Sequence, residues 1–443
     1  MRKTTSPGRR EKPRPLSSSI LFSALCAALA TMPRLTQGTC FVSGNVSGTW
    51  SNTCNPYIAT ANLTVPSGQT LTIQPGVTLI IGQGLNMNVQ GTISAVGMCA
   101  QPISIKGATP SQYWDTIKVN YNGGAQSTFA HCKISDATNA LQLITDYSTT
   151  MIPQISNCTF SNCLGSCIYA WSTSTGISPS PSLLGTIKNC RFSSSSNAIY
   201  LDVSTCQGCS TASNNITVAN NLFQGITGTA VWFSIRNYYP AGNPKVKNNI
   251  FFQCSTAVRK TGSSAAYNEE ISYNCLYGNA TNFIGVLPLY GSVCCVNARG
   301  TPCDAVFDIF QVPLFAETTN YTLASSSPCI DAGDSDGAYL DTCFPPSLGT
   351  TANDIGAYGG PYAGGSLTNC CNGTNIFLTA LSYIGVTIYP IGAGRYQLDY
   401  TSDLTNGPWF QATNLMLTNT PYTYIDLSSP ITPKRFYRAV LLP

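Results

Sequence analysis

Charge is scarce in this chain. Lys, Arg, Asp and Glu make up 9% of its 443 residues. A helix-rich enzyme or a coiled coil covers its exposed helix faces with those side chains, so both classes are excluded. Histidine is rarer still. The single one, His131, excludes any site that needs two, such as multi-histidine zinc or two-histidine iron. A basic excess is missing from the bulk of the chain. Residues 1–34 hold seven of the 22 basic residues and one of the 18 acids, Glu11, which leaves 15 basic and 17 acidic residues for the remainder. That remainder cannot neutralise a run of phosphates, so no nucleic-acid partner is expected. Helical periodicity is absent too: no segment from 40 to 370 keeps a capped amphipathic pattern over ten residues. Disorder is excluded, because 43% hydrophobic residues with little net charge can bury a core.

What is present begins with an N-terminal signal. A basic, Pro- and Ser-rich stretch leads into the apolar run Ile20–Ala30, and Ala28-Leu29-Ala30 supplies the small-x-small pattern of a cleavage site. Residues 1–30 are expected to be a secretory signal peptide, which places the protein outside the cell or on its surface. The run is too short to span a bilayer comfortably, and no later stretch is apolar enough to do so. The chain has 20 Cys, of which 19 remain once Cys26 leaves with the signal. Export permits disulfides, and an odd number leaves at least one thiol unpaired or intermolecular. Cys206-x-x-Cys209 has no second pair at zinc-finger spacing, so structural thiols and disulfides are expected instead.

A repeat dominates the middle of the chain. His131-Cys132-Lys133-Ile134, Asn157-Cys158-Thr159-Phe160, Asn189-Cys190-Arg191-Phe192, Asn220-Asn221-Leu222-Phe223, Asn248-Asn249-Ile250-Phe251 and Asn274-Cys275-Leu276-Tyr277 align without gaps at spacings of 26, 32, 31, 28 and 26. A second block follows in four of them: Ala140-Leu141, Ala198-Ile199, Ala230-Val231 and Ala257-Val258. Short runs upstream, such as Thr70–Ile73 and Val77–Ile81, alternate at period two between turn residues. A unit this small cannot bury its own face, but stacked units bury a continuous core. Leucine-rich repeats and propellers need other motifs and spacings. The reading is all-β: a right-handed parallel β-helix over 40–366, followed by a small β-sandwich. In a parallel stack, equivalent residues form ladders about 4.8 Å apart. Ile134, Phe160, Phe192, Phe223, Phe251 and Tyr277 are therefore expected as one inward stack, the leading Asn residues as a ladder, and Cys132, Cys158, Cys190 and Cys275 in one shared register.

On these repeats the chain resembles secreted bacterial β-helix proteins of the pectin-lyase-like superfamily. Ser327-Pro328-Cys329-Ile330-Asp331-Ala332-Gly333-Asp334 and Asp354-Ile355-Gly356-Ala357-Tyr358-Gly359-Gly360 look like the paired closing motifs of surface proteins classed as choice-of-anchor Q. The resemblance implies an architecture and no single activity. After Cys370-Cys371-Asn372-Gly373, five strand-like runs over 374–443 resemble the fibronectin-like modules attached to many large secreted bacterial proteins.

Candidate chemistry is thin. Asp331, Asp334, Asp336 and Asp341 gather four acids in eleven residues, and Asp334-Ser335-Asp336-Gly337 is a fragment of a calcium loop. The loop's first and last ligand positions would fall on Ala332 and Cys343, so these acids are either a partial calcium site or turn caps. The polysaccharide lyases and hydrolases of the superfamily need paired carboxylates, or acids with a Lys or Arg base on one face. The chain has no Asp-Asp pair, and His131 lies in the repeat. Asp202, with Arg191 in the same coil and Arg236 one coil on, is the candidate grouping. For binding, Trp171, Trp232, Tyr238 and Tyr239 are candidates to stack on sugar rings, the two tyrosines in a loop before Pro240. The expected function is a secreted or cell-surface, non-catalytic protein, structural or in contact with extracellular polysaccharide. The alternative is a polysaccharide lyase or glycoside hydrolase.

Overall fold

The computed structural model describes residues 38–109, 111–120, 126–146, 150–176, 180–238, 240–363, 384–388, 393–401, 408–418, 422–426 and 436–442. The expected signal peptide lies outside them. The chain divides into two units, Met1–Cys371 and Asn372–Pro443.

The first unit is a parallel β-helix. Its strands pair from coil to coil in one sheet of 18 strands and a second of 11. A typical coil runs Ser182–Lys188 in the second sheet, then Arg191–Ser193 and Asn197–Thr205 in the first. Two corners bound the three-residue strand, and at both the backbone adopts positive φ. The first corners are His131, Asn157, Asn189, Asn220, Asn248 and Tyr273, with φ between 50° and 57°. The second are Asp136, Asn162, Ser194, Gly225, Gln253 and Gly278, each five residues further on. Asn tolerates this left-handed conformation better than most residues, and Gly adopts it at no steric cost, which explains their recurrence here.

Between the corners, side chains alternate in and out. Ile105, Ile134, Phe160, Phe192, Phe223, Phe251 and Leu276 pair in register and are all buried. The four phenyl rings stack at centroid distances of 5.0, 5.0 and 4.8 Å. The last member corrects the gapless alignment. Leu276, not Tyr277, continues the stack, and Tyr277 faces outward. The final spacing between first corners is one residue shorter than Asn274 suggested, because Tyr273 takes the corner. Cys275 accordingly leaves the register of Cys132, Cys158 and Cys190. It joins the outward column of Leu222 and Ile250.

The ladder of amides runs one residue past the leading Asn. Asn221 Oδ1 accepts from Cys190 N at 2.9 Å, Asn249 Oδ1 from Asn221 N at 2.9 Å and Asn274 Oδ1 from Asn249 N at 3.0 Å. Asp308 Oδ1 ends it by accepting from Asn274 N at 2.7 Å. These side chains are fully buried, so each must satisfy its neighbour's backbone donor.

Asn189, Asn220 and Asn248 instead hold the closing segment. Asn189 Nδ2 donates to Ala357 O and Gly359 O at 3.1 and 2.7 Å, and Asn220 Nδ2 donates to Asp354 O at 2.9 Å. Asn248 Oδ1 accepts from Asp334 N at 2.8 Å. The two closing motifs thus dock along the first-corner column. They cover a second apolar core in which Ile330, Ile355 and Ala357 pack with Leu222, Ile250 and Cys275. Gly359 is required there, since a Cβ would collide with the Asp354 carbonyl.

In the second unit, Gly394–Thr401 pairs antiparallel with Phe410–Leu417 on one side and Phe436–Leu441 on the other. Ile384–Ile388 pairs antiparallel with Tyr422–Asp426. Ile388, Tyr396, Leu398 and Leu417 form its core. Phe436–Leu441 is an edge of the three-stranded sheet.

Candidate functional site

Three nine-residue strands of adjacent coils form one face of the helix. Ser166–Ser174, Asn197–Thr205 and Thr229–Asn237 pair in register, and Thr256–Thr261 extends the sheet. Period-two alternation turns Ile168, Ala170, Ile199, Leu201, Val231 and Phe233 into the core, where all are fully buried. The intervening residues form outward rows. One row is Tyr169, Tyr200, Trp232 and Arg259; the next is Trp171, Asp202, Ser234 and Thr261.

The first row is a stacked ladder. Ring centroids lie 5.1 Å apart between Tyr169 and Tyr200 and 4.7 Å apart between Tyr200 and Trp232, and the Arg259 guanidinium caps Trp232 at 4.7 Å. Because the rings face one another, they show solvent their edges. Hydrogen bonds fix the indoles: Trp171 Nε1 donates to Ser204 Oγ and Trp232 Nε1 to Thr261 Oγ1, both at 3.0 Å.

Asp202 lies within this face and is fully buried. Arg236 holds both carboxylate oxygens, with Nε donating to Oδ1 at 2.9 Å and Nη2 to Oδ2. Tyr169 Oη also donates to Oδ2, at 2.9 Å. Burial, then the Asp202 charge, pushes the Tyr169 hydroxyl far above its ordinary range, so it stays protonated and remains a donor. The hydrogen bond that Arg236 donates to Asp202 likewise raises the Arg236 pKa. Both carboxylate oxygens are thus engaged by donors of the chain itself.

The structure brings Asp202 and Arg236 together but separates Arg191 from them. Arg191 lies on the neighbouring short strand, where its guanidinium donates to Thr159 Oγ1, Asn320 O and Tyr358 Oη. His131 occupies a first corner, and burial lowers its pKa. Trp171 and Trp232 both point outward and are half-buried. Tyr238 follows the strand that carries Arg236 and is 58% exposed, whereas Tyr239 lies outside the described residues. Tyr169 and Tyr200, the other two ladder rings, escaped the sequence reading. The signal was available in the aligned Ile168-Tyr169-Ala170 and Ile199-Tyr200-Leu201 triplets, which repeat one coil apart.

The four clustered acids do not converge on a cation. Asp331 pairs with Arg299 at 2.7 Å and accepts from Thr350 N and Oγ1. Asp334 pairs with Lys247 at 2.8 Å and accepts from Asp336 N. Asp336 caps the short 3-10 turn Gly337–Tyr339 through Ala338 N. Asp341 accepts from Asp354 N and Gly360 N. Their oxygens are committed to cations and turns of the chain itself. Among the described residues no group of three or more acids, Cys or His could hold a metal. In this arrangement the four acids serve ion pairs and turns of the chain.

Among the described residues no helix is long and apolar enough to cross a membrane. No protein family, curated protein or solved structure matches the chain.

Proposed function

We propose that this chain is an extracellular, non-catalytic β-helix scaffold whose flat face contacts polysaccharide. The observation that carries the reading is the closure of Asp202. The carboxylate buried in the aromatic face is held by Arg236 and Tyr169, so the face offers rigid edges, hydroxyls and a half-exposed guanidinium rather than an acid–base pair. Tyr and Trp edges with adjacent Ser, Thr and Arg donors suit a hydroxyl-rich chain lying along the helix. Export is supported by the N-terminal signal pattern and by the Cys40–Cys54 and Cys206–Cys209 disulfides. The pectin-lyase-like resemblance, the choice-of-anchor closing motifs and the fibronectin-like module fit a surface protein of this kind.

Affinity electrophoresis in gels containing pectate, alginate and neutral glucans tests the proposal. Retardation by at least one polymer is expected, and it should weaken in Tyr200→Ala and Tyr238→Ala proteins that keep the wild-type melting temperature. The same polymers should yield neither unsaturated product nor new reducing ends. Turnover that disappears in Asp202→Asn or Arg236→Met would overturn this reading in favour of a lyase or hydrolase.

A further inference from the structure

The hairpin after the last coil carries three thiols outside the proposed glycan face: Cys303, buried in the second apolar core, and the exposed Cys294 and Cys295. Cys295 and Cys303 lie directly opposite each other in the antiparallel pair Cys295–Val296 and Pro302–Cys303. Their sulfurs are 3.4 Å apart. The turn between the strands is pinned by Asn297 Oδ1, which accepts from Arg299 N and Thr301 N at 3.0 and 2.9 Å, so the two cysteines are held in register. Cys294 precedes them, and its amide donates to Cys303 O at 3.0 Å. Of the thiols found free among the described residues, Cys294 and Cys295 are exposed and the other nine are buried.

We propose that Cys294, Cys295 and Cys303 form a thiol–disulfide exchange site, in which Cys295 and Cys303 close into a bridge and Cys294 carries external thiols as mixed disulfides. The required oxidant is a small-molecule or protein disulfide, R–S–S–R. The exposed Cys295 sulfur attacks it and one R–SH leaves; the Cys303 sulfur then displaces the second. One external S–S bond breaks and one internal bond forms. The two thiol protons leave on the two R–SH molecules, so the cysteine pair is oxidised and the external disulfide reduced. Cys303 is the partner within reach of Cys295, and a bridge between the adjacent residues 294 and 295 would need an eight-membered ring. Cys294 is then left exposed, and a second R–S–S–R converts it to Cys294–S–S–R with release of one R–SH. The site draws its oxidant from the extracellular setting proposed above. Its chemistry can be tested in vitro without that setting.

The reduced full-length protein is incubated with oxidised glutathione, its remaining thiols are alkylated, and it is digested with trypsin without reduction. Cleavage after Arg299 separates the two strands. The expected result is a disulfide-linked pair of peptides carrying Cys295 and Cys303, with glutathione on Cys294. Cys294→Ser should lose the glutathione and keep the link, and Cys303→Ser should lose the link. Recovery of Cys295 and Cys303 both alkylated, or of Cys303 bridged to any other cysteine, would overturn the proposal. A linked pair with Cys294 wholly alkylated would overturn its exchange half. If a variant fails to fold, fragmentation of the linked wild-type peptides, which also carry Cys275 and Cys329, assigns the bridged cysteines. Failure of glycan binding would leave this result unaffected.

Discussion

At the scale of single residues, the helix is held by columns in which each side chain serves the coil next to it. Phe192 is fully buried between Phe160 and Phe223, with both centroids 5.0 Å away. Phe192→Ala should cost about 3–5 kcal/mol, since it removes the ring and leaves a cavity that a pleated stack cannot collapse to fill. Urea denaturation measures this, and a loss below about 1 kcal/mol would mean that the ring is not in the core. Asn249 has a different task. Its Oδ1 accepts from both Asn221 N and Asn221 Nδ2, at 2.9 and 3.0 Å. Asn249→Ala strands two buried donors, each worth about 1–3 kcal/mol. A loss of about 2–4 kcal/mol is expected from the same experiment. The Phe column was legible from spacing alone, because identical residues recur once per coil. The roles of the two Asn positions were not. Where Asn220-Asn221 and Asn248-Asn249 stand together, a sequence does not say which one turns the corner and which builds the ladder. Tyr273 could not be read as a corner either, since nothing in a tyrosine announces positive φ. The aromatic face was half legible, through Trp171 and Trp232, and so was the grouping of Asp202 with Arg236 one coil on; the Tyr169 donor to Asp202 was not, because it depends on register between stacked coils.

At the scale of elements, the closing segment is the part whose chemistry the sequence described most coarsely. Its acids read either as a partial calcium site or as caps, because both uses favour Asp in turns. In the folded segment their partners are backbone amides and cations of the chain. Saturating calcium should therefore leave the melting temperature unchanged, and chelation should do the same. A true site would add about 2.7 kcal/mol at a hundredfold excess over its dissociation constant, which calorimetry would detect easily. Protons should act where calcium does not. Burial, then the neighbouring Asp354, pushes Asp341 up to about 7. Burial pushes Asp354 up to about 6. Both values lie above those of an unfolded carboxyl, so the folded segment binds protons more tightly than the unfolded chain. Their contribution is complete below the ordinary carboxylate range and is lost as pH rises through about 6 to 7. The melting temperature should fall between pH 5 and pH 8. Asp341→Asn should flatten that slope, and an unchanged slope would show that this carboxyl does not titrate there.

At the scale of the whole molecule, the question is what each part needs from the rest. A stack of coils is quasi-one-dimensional, and its ends and sides are exposed unless something covers them. The side formed by Leu222, Ile250 and Cys275 is covered from within the first unit, by Ile330, Ile355 and Ala357. The second unit has a core of its own in Ile388, Tyr396, Leu398 and Leu417. Two truncations should therefore behave differently. A chain ending at Cys371 keeps both closing motifs and the whole first unit. It should melt at the same temperature as the full-length protein and lose the transition that belongs to the second unit. A chain ending at Ser326 loses both motifs. It should expose Leu222 and Ile250, each worth about 1.5–3 kcal/mol of burial. It should also melt several degrees lower and bind a hydrophobic dye. Calorimetry with dye fluorescence on the two truncations separates these outcomes. Equal melting of both would mean that the β-helix stands without its cover, and that the paired motifs serve something other than its stability.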